Sequence, residues 1–202
     1  MKRLGIIGAS GHGKVVADIA RNMGYEEILF FDDSAGSSSC NAYPIVGKST
    51  DIFHFDCEGI VAIGNSQVRQ TLQERLESGG IHIPVLVHPH AVLAQDVTIG
   101  AGTVIMAGAV INPGSTIGKG CIINTCASVD HDCHIYDYVH ISVGAHLAGT
   151  VQVGHNTWVG IGAVVSNNLS ICAECMIGAG AVVCRSIEEK GTYIGVPARK
   201  IK

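Results

Sequence analysis

An aliphatic residue recurs at every sixth position from Val87 to Val183 without insertion or miss, and few folds can accept that spacing. The series runs Val87, Leu93, Ile99, Ile105, Ile111, Ile117, Ile123, Val129, Ile135, Ile141, Leu147, Val153, Val159, Val165, Ile171, Ile177 and Val183. Four residues after each comes a second recurring site that is mostly small, as at Ala91, Thr103, Ala109, Ser115, Cys121, Ala127, Cys133, Ala145, Thr157 and Ala163. A helix repeats near 3.6 residues and a flat strand at two, so neither period fits. Six residues make one short strand and one corner, and three such units close a coil of eighteen. The aliphatic residues then stack inside as rungs and the small site falls where the prism narrows. The series predicts between five and six coils rising about 27 Å at about 4.8 Å per stacked strand.

The first 80 residues follow another rule. Leu4–Ile7 reads as an apolar strand, Gly8-Ala9-Ser10-Gly11-His12-Gly13-Lys14 as a glycine turn, and Val15–Met23 as a helix. Ile28–Phe31 is a second strand ending in Asp32-Asp33, Ser34–Ser39 a loop, and Gly59–Ile63 a third strand running into Gly64-Asn65. Gln67–Leu76 completes the unit as a polar helix. Strand, glycine turn, helix, strand is the order of a Rossmann-like parallel α/β sheet. The predicted organisation is therefore an α/β domain over residues 1–82 and a solenoid with a C-terminal tail over 83–202.

Composition narrows the partners. Apolar residues make up 47% and charged residues 15%, which supports a packed core and excludes a disordered chain. The net charge of −4 argues against nucleic acid, whose phosphates need a basic face. No apolar run approaches a membrane span, and Met1-Lys2-Arg3 precedes too short an apolar stretch for a signal peptide, so a cytoplasmic protein with eight free thiols is expected. Cys121, Cys133 and Cys175 fall on the small inward site and read as core fillers.

Several residues suggest chemistry. Gly8–Gly13 after a strand offers backbone N–H groups and a helix N-terminus to a diphosphate, although it lacks GxGxxG spacing. Asp32, nineteen residues beyond Gly13, is placed to meet a ribose, or with Asp33 a nucleobase. The alternative is a structural turn with a solvated acidic pair. His131 between Asp130 and Asp132 has the chemistry of a general base with an orienting carboxylate, Asp132 before Asp130. Eighteen residues on, Gly149 leaves room beside the imidazole. The histidines at 131, 134, 140, 146 and 155 include no pair eighteen apart, so a zinc site is not expected from one chain.

With Gly8-Ala9-Ser10-Gly11-His12-Gly13, Asp32-Asp33, Ile63-Gly64-Asn65, Asn124-Thr125, Asp130-His131-Asp132 and the ending Gly195-Val196-Pro197-Ala198-Arg199, the chain resembles a known group. It is similar to the sialic acid O-acetyltransferase-like (NeuD/PglD-type) family of left-handed β-helix hexapeptide-repeat acyltransferases. Its best-understood members N-acetylate UDP-4-amino sugars on the bacillosamine pathway. The resemblance implies acetyl-CoA as co-substrate, no metal, and a homotrimer with sites between subunits. It implies His131, Asp132, Asn124 and His140 as catalytic, and Ser10, Gly11, His12, Gly13, Asp32, Asp33, Gly64 and Asn65 at the nucleotide sugar. Gly149, Ile161, Gly162, Gly178, Gly180 and Pro197 are expected along the coenzyme. The family commonly carries Glu where Asp132 stands. The expected activity is N-acetylation of a nucleotide-linked 4-amino-4,6-dideoxy sugar, with UDP as carrier. Sugar O-acetylation, a non-catalytic nucleotide-sugar-binding trimer and a solenoid zinc hydrolyase are the alternatives.

Overall fold

A computed structural model describes residues 2–34 and 36–202, so Met1 of the N-terminal segment and Ala35 of the serine-rich loop lie outside the described residues. The chain divides into two compact units, Met1–Pro89 and His90–Lys202.

In the first unit β1 (Arg3–Ile7) is followed by α1 (Gly11–Asn22), β2 (Glu27–Phe31), β3 (Ser39–Cys40), β4 (Tyr43–Gly47), a 3-10 turn (Asp51–His54), β5 (Glu58–Val61) and α2 (Ser66–Ser78). The sheet order is β3-β4-β2-β1-β5, parallel except for β3. Strand β1 lies between β2 and β5, with Ile7 opposite both Phe31 and Val61. Ile7, Phe31 and Val61 pack with Leu29, Ile52, Leu76 and Ile83 in one apolar core. Three details differ from the sequence reading. The helix α1 begins at Gly11, inside the segment read as a turn, so His12 and Gly13 belong to its first turn. Gly13 is required there, because a Cβ would lie 2.1 Å from the Gly8 carbonyl oxygen. The serine-rich segment ends in β3, and β4 was hidden by its half-exposed alternation and by Pro44.

In the second unit each aliphatic residue of the series ends a two-residue strand, from Val92–Leu93 to Val182–Val183. Strands eighteen residues apart pair in parallel, for example Ile117 with Ile135 and Ile141 with Val159. One sheet carries the strands from Val92–Leu93 to Val182–Val183, a second those from Thr98–Ile99 to Ser170–Ile171. The third carries Val104–Ile105, Ile122–Ile123, His140–Ile141, Trp158–Val159 and Met176–Ile177, and ends on Thr192–Ile194 and antiparallel Arg199–Lys200. The architecture is an α/β unit and a hexapeptide-repeat parallel β-helix.

Polar residues at the small inward site satisfy themselves on the next coil. Thr103 Oγ1 donates to the Gly118 carbonyl (2.7 Å) and Ser115 Oγ to that of Asp130 (2.7 Å). Cys121 and Cys133 are buried at the same site, with Sγ directed at the carbonyls of Tyr136 (3.1 Å) and Ala148 (3.3 Å). From Gly102 to Gly180 each corner carries one residue with positive φ, at every sixth position. Glycine fills many of these, and Asp132, Asn156 and Asn168 tolerate the same left-handed conformation, but on Cys126, Tyr138, Thr150 and Glu174 the coil imposes it against their own preference.

Candidate active site

Two regions gather the residues singled out in the sequence, one in each unit. In the first, a cavity of about 480 Å³ opens at the carboxyl ends of β1, β2 and β5, lined by Gly8, Asp32, Asp33, Ile63, Gln67 and Thr71 among others. It lies where β1 has neighbours on both sides, the topological switch point at which open α/β sheets bind ligands. The acidic pair serves first as a brace. Asp32 accepts the amide N–H groups of Ala9 (2.7 Å) and Ser34 (2.8 Å), tying the β1–α1 turn to the β2 end. Asp33 accepts from Ser49 through its amide (2.9 Å) and hydroxyl (2.8 Å), and these bonds hold its carboxyl below the usual range.

Gly64 and Asn65 are also built into the fold. Asn65 Oδ1 caps α2 by accepting from the Val68 amide (3.0 Å). Buried Arg69 donates from Nη1 to the carbonyls of Ile63 and Gly64, both at 2.8 Å. Ser10 stands at the N-cap of α1 without a side-chain cap bond, and Gly11 opens the helix with space around it. His12 Nε2 is buried with no hydrogen-bond partner among the described residues. Burial, with the Arg69 charge second, pushes its pKa down to about 4, so the ring is neutral. The sequence reading missed Gln67, Thr71 and Arg69. Their signal was a polar helix with Gln67 and Thr71 four residues apart on one face.

In the second unit, the corner after strand Ser128–Val129 carries the histidine–carboxylate group. His131 Nδ1 lies 2.8 Å from Asp132 Oδ2, and this bond raises the imidazole above its ordinary pKa. Asp130 does a different job: its Oδ1 accepts the His131 amide (2.8 Å) and Asn112 Nδ2 (2.8 Å), which lowers its own pKa. Thus Asp132 holds the ring and Asp130 holds the backbone beneath it.

Two glycines flank this group. A Cβ on Gly114 would lie 2.4 Å from Asp132 Oδ1, and one on Gly149 would lie 2.5 Å from His131 Nε2. Both are eighteen residues from their partner, so the stacking of coils opens the space. The His131 side chain is 57% exposed, leaving Nε2 accessible.

Asn124 and His140 form a second pair, with Asn124 Nδ2 3.0 Å from His140 Nε2. If the amide donates, Nδ1 of His140 carries the ring proton. His140 is buried beside Trp158, ring centroids 4.7 Å apart, and Trp158 Nε1 donates to Ser142 Oγ at 2.6 Å.

Of the residues expected along the coenzyme, Gly162 and Gly180 belong to a column with Gly144, eighteen apart, where a Cβ would meet nothing within 4 Å. Ile161 beside it is 60% exposed and Val143 42%, so this edge offers backbone polar groups over an apolar strip. Gly178 instead provides close packing, since a Cβ there would lie 2.7 Å from Ile194. Pro197 lines a separate cavity of about 540 Å³ near the C-terminus with Arg185, Tyr193, Arg199 and Lys200. Among the described residues, no three His, Cys, Asp or Glu side chains form a metal-binding group, and no helix is long and apolar enough to cross a membrane.

Comparison with known proteins finds relatives for both units. The PglD N-terminal domain family matches residues 3–76, and the bacterial transferase hexapeptide (six repeats) matches residues 96–131. GDP-perosamine N-acetyltransferase of Escherichia coli O157:H7 is 31% identical over 100% of this chain and 97% of its own. UDP-N-acetylbacillosamine N-acetyltransferase of Bacillus subtilis (strain 168) is 38% identical over 53% of this chain and 52% of its own. Among solved structures, the acetyltransferase domain of PglB from Neisseria gonorrhoeae FA1090 in complex with acetyl coenzyme A has a TM-score of 0.96 at 39% identity, covering 99% of both chains. PerB from Caulobacter crescentus in complex with CoA and GDP-perosamine has a TM-score of 0.94 at 35% identity, covering 100% of this chain and 98% of its own.

Proposed function

Because this chain belongs to the hexapeptide-repeat sugar N-acetyltransferases with a PglD-type N-terminal domain, acetyltransferases that use acetyl-CoA, we propose that its acceptor is the 4-amino group of a nucleotide-linked 4-amino-4,6-dideoxy sugar. The cavity at the carboxyl ends of β1, β2 and β5 takes the nucleotide, with UDP as the first carrier to try. GDP is the second reading, favoured by the relative that spans the whole chain and by the PerB complex. The working assembly is a homotrimer.

The observation that carries the mechanism is the His131–Asp132 pair with Nε2 facing the space left by Gly149. The sugar amine attacks the thioester carbonyl carbon, and a C–N bond forms as the carbonyl becomes an oxyanion. His131 Nε2 removes the proton from the attacking nitrogen, while Nδ1–H donates to Asp132 and the carboxylate stabilises the imidazolium. Collapse of the tetrahedral intermediate breaks the C–S bond, and the proton held by His131 passes to the departing CoA sulfur. Asn124, whose amide also meets His140, supplies the second N–H of that amide to the oxyanion. The open column of Gly144, Gly162 and Gly180 receives the pantetheine arm.

Chromatographic measurement of CoA release, with UDP- and GDP-linked 4-amino sugars and the matching 4-hydroxy sugars, tests this reading. Turnover on an amino sugar should fall by about 10² or more in His131→Ala. Equal rates in the two proteins would remove His131 as the base. Turnover confined to the hydroxy sugars would replace N- with O-acetylation.

A further inference from the structure

The corner at residues 172–175 reads Cys172-Ala173-Glu174-Cys175, a C-x-x-C pair where the sequence reading expected none, and the acetyl-transfer chemistry does not use it. Every solenoid corner is a four-residue turn between two short strands, and this one joins Ser170–Ile171 to Met176–Ile177. Glu174, its third residue, has φ 58°, the left-handed conformation of the third position in a type II turn. Such a turn keeps the Cα atoms of its first and last residues within about 7 Å, which overlaps the span a disulfide bridges. At the other corners that carry an inward cysteine, the first residue is Gly118 or Asp130. Here both ends are cysteine, both are free thiols, and their sulfurs lie 3.5 Å apart.

The two thiols differ in a way that suits exchange. Cys172 is half-buried and can meet a small molecule, whereas Cys175 lies inside the prism with its amide on Thr157 Oγ1 (3.2 Å) and its sulfur near the Glu189 carbonyl (3.7 Å). Burial, and then Cys172 beside it, raises the Cys175 thiol. An internal thiol with a high pKa is a poor first attacker. Held beside a mixed disulfide, it needs no diffusion to resolve it. Closing a four-residue loop also restricts the unfolded chain very little, so such a bond would be a weak structural staple.

We propose that Cys172 and Cys175 are a redox dithiol that closes to an intramolecular disulfide by exchange with a low-molecular-weight disulfide. The Cys172 thiolate attacks one sulfur of the small disulfide, forming a mixed disulfide and releasing one small thiolate. Cys175, losing its proton, then attacks Cys172 Sγ and releases the second small thiol. The dithiol is oxidised by two electrons and the small disulfide is reduced by two. A monothiol such as glutathione, in excess, reverses both steps.

The test is incubation of the native full chain with oxidised glutathione, followed by acid quench, differential alkylation and peptide mapping. Exposed Cys126 and Cys184 report that the reagent is active by taking up glutathione. In the wild type, Cys172 and Cys175 should become linked, with the loss of two hydrogens and no retained glutathione. In Cys175→Thr, which places at the small site a residue already accommodated at 103 and 157, glutathione should remain on Cys172 at about tenfold or more the wild-type level. The wild-type map is informative by itself if that variant folds poorly. A wild type that keeps stable glutathione on Cys172, or that leaves both cysteines alkylatable while Cys126 and Cys184 are modified, would overturn the proposal.

Discussion

Replacing Gly149 by alanine puts the proposed role of His131 under its most direct strain. The added Cβ would lie 2.5 Å from Nε2, 2.6 Å from Cε1 and 3.1 Å from Cδ2, whereas ordinary contact begins near 3.4 Å. The ring must therefore withdraw by about 0.9 Å, and its exposure gives it room to do so. Misplacing a catalytic group by about 1 Å costs on the order of 10² in rate. Gly149 does not use the left-handed region, so alanine brings no backbone strain, and the stability change should stay within about 1 kcal/mol. We therefore predict a fall of about 10² in kcat/KM for acetyl transfer, with a nearly unchanged urea midpoint. A double-mutant cycle separates this cause from a lost coenzyme contact: added to His131→Ala, the alanine should cost almost nothing further. A loss below about threefold in the wild-type background would refute the steric argument. So would a loss of the same factor in the His131→Ala background, which would place the effect on the coenzyme.

Other predictions follow from the same geometry. The Asp132 bond raises the His131 pKa, and the base works unprotonated, so activity should rise with pH through a value above that of ordinary imidazole. Asp132→Asn should move this acid limb of kcat/KM to lower pH and cut the plateau by about 10- to 100-fold; an unmoved limb would detach it from His131. His12 titrates near 4 when folded and near 6.5 when unfolded, so protons favour the unfolded chain between those values. Its stability contribution is present above pH 6.5 and is lost as pH falls toward 4, by at most about 3 kcal/mol. In urea melts at pH 7.5 and 4.5, His12→Gln should show a smaller pH dependence than the wild type, and an equal one would refute the assignment. Arg69→Met deprives the Ile63 and Gly64 carbonyls of their donor and should lower stability by about 2–4 kcal/mol. An unchanged urea midpoint would show that the buried guanidinium does not hold that turn.

How much of this molecule can be read from its letters depends on how locally each feature is determined. The solenoid was legible because its rule is covalent arithmetic: a residue six positions on repeats the rung, and one eighteen on sits directly above. The same arithmetic places Gly149 over His131. It does not specify what a side chain does at its corner. Asp130 and Asp132 flank His131 symmetrically in sequence, yet the left-handed φ of 57° at Asp132 accompanies a carboxylate on the ring, while Asp130 is drawn to the backbone and Asn112. The α/β unit was legible only in outline, because its contacts link distant segments. No spacing rule ties Ser49 to Asp33, or Ala9 to Asp32, and both bonds make these cavity-lining carboxylates braces for its wall as well. Gln67 and Thr71 became visible as cavity residues only once α2 was placed against the carboxyl ends of the strands. A repeat thus discloses where residues stack, whereas the cavity of the α/β unit rests on long-range pairings. For that reason the proposed carrier, UDP or GDP, is tested by turnover on the two sugar nucleotides and not read from the motif Gly8–Gly13.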